Sequence, residues 1–178
     1  MTDLPKLLSR ETVYSGRLFD VNLDRIQMAG GVLALRETLV HPGAVCMVPV
    51  TEAGALLLVT QYRHAAGQRL LELPAGTLED GEEPPAAVAR ELQEEVGQFP
   101  EAIASLGGFY VAPGYTTEYI HLFVCSALRP SRLEGDEDED IEVEVRTLAE
   151  ALGAIDSGEI CDAKSVIGIL RWARSVAP

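Results

Sequence analysis

The chain has 178 residues, 47% of them hydrophobic and 24% charged, with a formal net charge of −14 at pH 7. That length is about one domain's worth and can bury a real core. The acid excess argues against general binding to nucleic acid or membrane surfaces, and no apolar run approaches the ~20 residues of a membrane span.

Taken in chain order, the first residues, MTDLPKLLSRETV, lack the apolar core of a signal peptide. Residues 12–16 and 19–27 alternate well enough to be strands. Ala29-Gly30-Gly31 is a turn signal, and 32–40 reads as a returning strand. The apolar runs 44–51 and 55–62 flank Glu52-Ala53-Gly54 and read as a hairpin of buried strands. A helix follows from Pro84 to Val96, opened by Pro84 and Pro85, because the first turn needs no donated N–H. Residues 103–111 and 118–127 look like two more strands joined by a loop at 112–117. Residues 141–146 alternate apolar with charged, as a strand with one wet face does. Residues 148–156 and 163–175 are helical by pattern, with Gly158 as a break. There is no repeat and no linker, so 1–178 reads as a single domain. Strands mixed with three helices predict an α/β fold of the α/β/α sandwich type with a mixed β-sheet. Cys46, Cys125 and Cys161 are few, scattered and odd in number. They read as buried thiols of a cytoplasmic protein, without zinc spacing.

The chemistry concentrates between Gly76 and Gly97, in GTLEDGEEPPAAVARELQEEVG. On a helix Glu91, Glu94 and Glu95 stand at i, i+3 and i+4 and share one face. Val88, Leu92 and Val96 form a separate apolar row. Three carboxylates within one turn repel unless a cation sits among them. Oxygen-only ligands point to a hard metal, Mg2+ or Mn2+. Arg90, four residues before Glu94, can pair with it, and Gly97 suits the left-handed turn that ends a helix. The spacing resembles the Nudix box, G-x5-E-x7-R-E-U-x-E-E-x-G-U, where U is bulky and apolar. Leu92 fills the first U. Gln98 stands at the second and is the one departure.

The resemblance continues outside the box. Gln61-Tyr62-Arg63-His64 and Leu71-Glu72-Leu73-Pro74-Ala75-Gly76 look like the approach to the box in ADP-ribose pyrophosphatases. Pro113, sixteen residues after Gly97, is a marker of that subgroup, within the similar loop VAPGYTTE. Tyr115 stands where a tyrosine is associated with the diadenosine polyphosphate subgroup, so two markers compete. The acidic segment before Ile141 and the tail DAKSVIGILRW agree with the proline.

What the resemblance implies is a Nudix fold and a metal-dependent hydrolase that cleaves ADP-ribose to AMP and ribose 5-phosphate. Diadenosine polyphosphates and other nucleoside diphosphate sugars are the alternative substrates, and a non-catalytic nucleotide-binding module is the alternative class. Glu91 and Glu95 would bind two or more Mg2+ ions, with Glu94 a further or bridging ligand and the Ala75 carbonyl another. Glu82 would support the site by pairing or through water. Arg63, after a buried-looking strand and before the box, would hold phosphate, and Arg36 and Glu37 would line the same site with Pro113. By motif position Glu139 is the general base and Glu137 its helper; a box glutamate such as Glu94, or water activated without a base, stays open. Residues 1–40 form an N-terminal β region that such enzymes use for homodimerisation.

Overall fold

The computed structural model describes residues 4–135 and 140–177. They fall into two compact units, one formed by the residues up to Gly43 with Tyr110–Tyr119, the other by Ala44–Phe109 with the rest of the chain.

In the first unit, β1 (Lys6–Ser15), β2 (Asp20–Gln27) and β3 (Leu33–Val40) form an antiparallel meander in the order β1-β2-β3. β1 begins at Lys6, six residues before the expected start. All of its side chains are exposed, so no buried face imposes a legible alternation. Its pairing with β2 is supported by polar groups. Arg10 donates from Nε and Nη2 to the two oxygens of buried Asp24 at 2.7 and 2.8 Å, and Thr12 donates to Asn22 at 2.8 Å. The segment after Tyr110 returns to β3, where the Leu39 N–H donates to the Tyr115 carbonyl at 2.7 Å and the Thr117 N–H to the Leu39 carbonyl at 2.9 Å.

The second unit carries β4 (Ala44–Pro49), β5 (Leu56–Arg63), β6 (Gln68–Glu72), β7 (Ala75–Thr77) and α1 (Pro84–Glu91). These are followed by β8 (Gln98–Tyr110), β9 (Tyr119–Pro130), β10 (Glu142–Arg146), α2 (Leu148–Ser157) and α3 (Ala163–Val176). Two sheets have the orders β10-β5-β6 and β7-β4-β9-β8. β4 runs parallel to β9 and antiparallel to β7, so the sheet is mixed as expected. β4 and β5 are buried on both faces, and their alternation divides the core into two layers. Ala44, Cys46, Val48, Leu56 and Leu58 pack with Ala151 and Ala154 of α2 and Ile169 of α3. Val45, Met47, Leu57 and Val59 pack with Ala87, Val88, Leu92 and Val96 around α1. Helices therefore cover both faces, which is the expected α/β/α arrangement.

Caps fix the helix starts. The Thr147 hydroxyl accepts from the Glu150 N–H while Glu150 bonds back to the Thr147 N–H, a reciprocal box that opens α2. Asp162 accepts from the Ser165 N–H and opens α3. No helix among the described residues is long and apolar enough to cross a membrane. Cys46 and Cys125 are buried, and burial pushes both thiols up to about 12. Cys161 is exposed, against the expectation of three buried thiols.

Candidate active site

The helix expected to run unbroken to Val96 changes character after one residue of the acidic triplet. α1 ends at Glu91, and Leu92–Val96 form a single π-helical turn, closed by the Gly97 N–H donating to the Leu92 carbonyl. Gly97 has φ +72°, the left-handed conformation expected of it. Such widened turns recur at functional sites. Here Val96 stays in the apolar core while its neighbour Glu95, only 3% exposed, accepts from the Ala75 N–H at 3.2 Å. Val88 and Leu92 are fully buried, so the expected apolar row holds.

Arg90 is the cation that sits among the carboxylates. Its Nε and Nη2 donate to the two oxygens of Glu82 at 3.0 and 2.8 Å, and its Nη1 donates to Glu91 at 2.7 Å and Glu94 at 3.1 Å. A further bond runs from Nη2 to the Thr77 carbonyl at 3.2 Å. The bonds from Arg90 hold the Glu82 carboxyl below the usual carboxylate range, and in return Glu82 raises the guanidinium pKa. Of the two supporting roles the resemblance implied for Glu82, pairing or water, the pairing is the one present, with Arg90. The expected bond between Arg90 and Glu94 is present as one arm of a wider network.

Gly76 is needed for closeness. A Cβ built at Gly76 would occupy the space of the Glu91 carboxylate. We expect Gly76→Ala to cost about 1–3 kcal/mol by overpacking. Placing the same change in a Glu91→Ala background should cost far less, because the obstructing carboxylate is gone. Equal losses of denaturation midpoint in both backgrounds would refute the steric account.

The box loop and helix enclose a cavity of about 360 Å³ lined by Arg63, Ala75, Gly76, Thr77, Leu78, Glu79, Arg90, Glu91, Glu94 and Glu95. Five of the predicted site residues, Arg63, Ala75, Glu91, Glu94 and Glu95, are therefore brought together. Arg36 and Glu37 lie on β3, and Pro113 lies after Tyr110; all three belong to the first unit. Glu137 and Glu139 lie outside the described residues. Glu79 was not anticipated as a lining residue.

Arg63 is held from behind. Its Nε donates to both oxygens of Glu72 at 3.1 Å and its Nη2 to Glu72 Oε2 at 2.7 Å. Glu72 is 2% exposed and receives a second cation, Lys164 Nζ, at 2.7 Å. Lys164 also donates to Asp162 at 3.0 Å. Burial disfavours the Lys164 ammonium, but Asp162 and Glu72 outweigh it and raise its pKa. Sequence reasoning gave no role to Glu72 or Lys164. The available signal was a carboxylate set between Leu71 and Leu73 in an apolar run, which must find a partner once buried.

The donor set around the cavity suits a hard cation. Its charged oxygen donors are the carboxylates of Glu79, Glu91, Glu94 and Glu95, beside the β7 backbone, and these four outnumber the two arginines, Arg63 and Arg90. The crowding of Glu91 against Gly76 holds one carboxylate against the β7 backbone. Among the described residues no three acidic, histidine or cysteine side chains form a ready-made coordination cluster, and Arg90 engages Glu91 and Glu94.

The Nudix domain family model matches residues 40–166. The chain belongs to the Nudix family. It is 36% identical over 166 residues to the ADP-ribose pyrophosphatase of Bacillus subtilis (strain 168), covering 92% of this chain and 90% of that protein. It is 37% identical over 166 residues to the methanol dehydrogenase activator of Bacillus methanolicus, again with 92% and 90% covered. A solved structure described as an ADP compounds hydrolase superposes with a TM-score of 0.87 at 28% identity, covering 98% of this chain and 97% of that one. The fold is therefore the Nudix fold and the chain is a Nudix hydrolase. Nudix hydrolases generally use a divalent cation such as Mg2+.

Proposed function

We propose that this Nudix hydrolase cleaves the pyrophosphate bond of ADP-ribose, giving AMP and ribose 5-phosphate. The observation that carries the reading is the single cavity in which Arg63 faces Glu91, Glu94, Glu95 and the Ala75 backbone. The relatives named for ADP-ribose and for ADP compounds support the substrate class. Glu91, Glu95 and the Ala75 carbonyl would hold two or more Mg2+ ions, with Mn2+ a substitute and Glu94 a further ligand. When bound, the ions would neutralise the diphosphate and favour a water nucleophile at neutral pH. Arg63 holds a phosphate oxygen, and Arg36, Glu37 and Pro113 help to seat the nucleoside side. Glu139, aided by Glu137, takes a proton as the water oxygen bonds to phosphorus. The anhydride P–O bond breaks, and its electron pair leaves with the departing phosphate. The protein acts in the cytoplasm.

The test is a panel of ADP-ribose, diadenosine polyphosphates and other nucleoside diphosphate sugars assayed with Mg2+, with products identified. A higher kcat/KM for any other compound than for ADP-ribose would overturn the substrate. No metal-dependent turnover of any compound would overturn the enzymatic reading.

The whole chain acts as one Nudix unit, with residues 1–40 packing against a second copy. The support is the run of exposed apolar side chains on that meander, Leu7, Val13, Tyr14, Leu33 and Leu35 among them. Light scattering at micromolar concentration should give about twice the 19.2 kDa chain mass. A fully active monomer would remove this role.

A further inference from the structure

We infer that Lys164, on the C-terminal helix, is a positioning residue for Arg63: through Glu72 it keeps a guanidinium presented to the anionic diphosphate of the substrate. The inference rests on the functional reading above and deepens it.

Lys164 does not line the cavity, and its side chain is 13% exposed. Arg63 does line it, with 38% of its side chain exposed. Between them lies Glu72, whose Oε2 receives Arg63 Nε, Arg63 Nη2 and Lys164 Nζ at 3.1, 2.7 and 2.7 Å. One edge of the guanidinium, Nε with Nη2, is thereby fixed. Nη1 has no hydrogen-bond partner among the described residues, and it is the donor left for a phosphate oxygen.

Charge explains why one cation is not enough. Arg63 paired with Glu72 alone is a neutral unit beside a cavity rich in carboxylates. Such a unit attracts a diphosphate weakly. Lys164 satisfies a share of Glu72, so that Arg63 retains positive character on its cavity side. Asp162 in turn holds Lys164 and caps α3, while the Ser165 hydroxyl accepts the Leu73 N–H at 2.7 Å. The first turn of α3 is thus fastened to the end of β6, directly beside the carboxylate that orients Arg63. A buried carboxylate whose partners are removed is costly, so Glu72 cannot simply ignore the loss of Lys164. It draws Arg63 inward instead.

The test is a double-mutant cycle on the full chain, using Lys164→Met, Arg63→Ala and the pair. The readouts are KM and kcat for ADP-ribose, and the calorimetric affinity for a non-hydrolysable methylene-bridged analogue. Lys164→Met should raise KM and the analogue's Kd about tenfold, with kcat within about twofold. Lys164→Arg should recover most of the loss. In the Arg63→Ala background the same Lys164 change should add less than about twofold. If Lys164→Met does not fold, Lys164→Gln, which keeps a donor but no charge, should give the same result. Full additivity, or a lowered melting temperature with KM and Kd unchanged, would overturn the inference. If the wild type proves to prefer another compound of the panel, the substrate assignment falls and the cycle is run on that compound. Additive effects there would strike the positioning role alone.

Discussion

If Glu91 and Glu95 hold the metal as proposed, Glu91→Gln and Glu95→Gln should each lower turnover about a thousandfold while the protein stays folded, because each would remove a charged oxygen ligand where the reaction needs the most charge compensation. Spacing alone predicts a small gain in stability for either change, from relief of repulsion among three crowded carboxylates. The geometry reverses that sign. Glu91 is already compensated by Arg90 at 2.7 Å, and buried Glu95 accepts the Ala75 N–H. Neutralising either one gives up a charge-assisted bond, so the melting temperature should fall modestly. Circular dichroism and a metal titration of turnover would check both parts. Near-normal turnover in both variants would overturn the metal assignment.

Glu139→Gln should lower substrate-saturated turnover about a hundredfold and leave KM nearly unchanged, as loss of a general base does. Glu139 itself lies outside the described residues, but its neighbour Asp140 does not. Arg69 on β6 donates from Nη1 to Asp140 at 2.6 Å and from Nη2 to Glu142, the first residue of β10, at 2.9 Å. The chain immediately after Glu139 is thus tied to the sheet that also carries Arg63 on β5. Glu134, five residues earlier, adjoins Leu133, whose N–H donates to the Gln93 carbonyl at 3.3 Å, so it follows a different anchor. The decisive comparison is turnover of single Gln or Asn variants at 134, 136, 137 and 139. If Glu139→Gln is no worse than Glu134→Gln, the acidic segment is only solvated and the base lies elsewhere.

Much of this architecture could be read before any coordinates. The double-sided burial of β4 and β5 shows in uninterrupted apolar runs, and Pro84 and Gly97 bracket the box helix. The misses have physical causes. β6 and β7 are five and three residues long and carry Gln68, Arg69 and Gly76, so neither period nor propensity marks them. β8 starts at Gln98, where Pro100 reads as a break. The π-helical turn left no trace because one extra residue per turn hardly changes which positions are apolar. The site's carboxylates were legible because they are local. The Lys164–Glu72 pair spans 92 positions, and such a partnership has no signature in spacing.

The contrast among the three cysteines has a practical use. Cys46 and Cys125 are buried with thiols pushed up to about 12, so neither offers a thiolate at neutral pH. Cys161 is exposed and sits next to Asp162, the cap of α3. A maleimide dye added to the native protein should therefore attach at one place without any engineered substitution. That place adjoins the helix start that braces Arg63. The label would report, in real time and without a turnover assay, whether filling the cavity is felt at the far end of that brace.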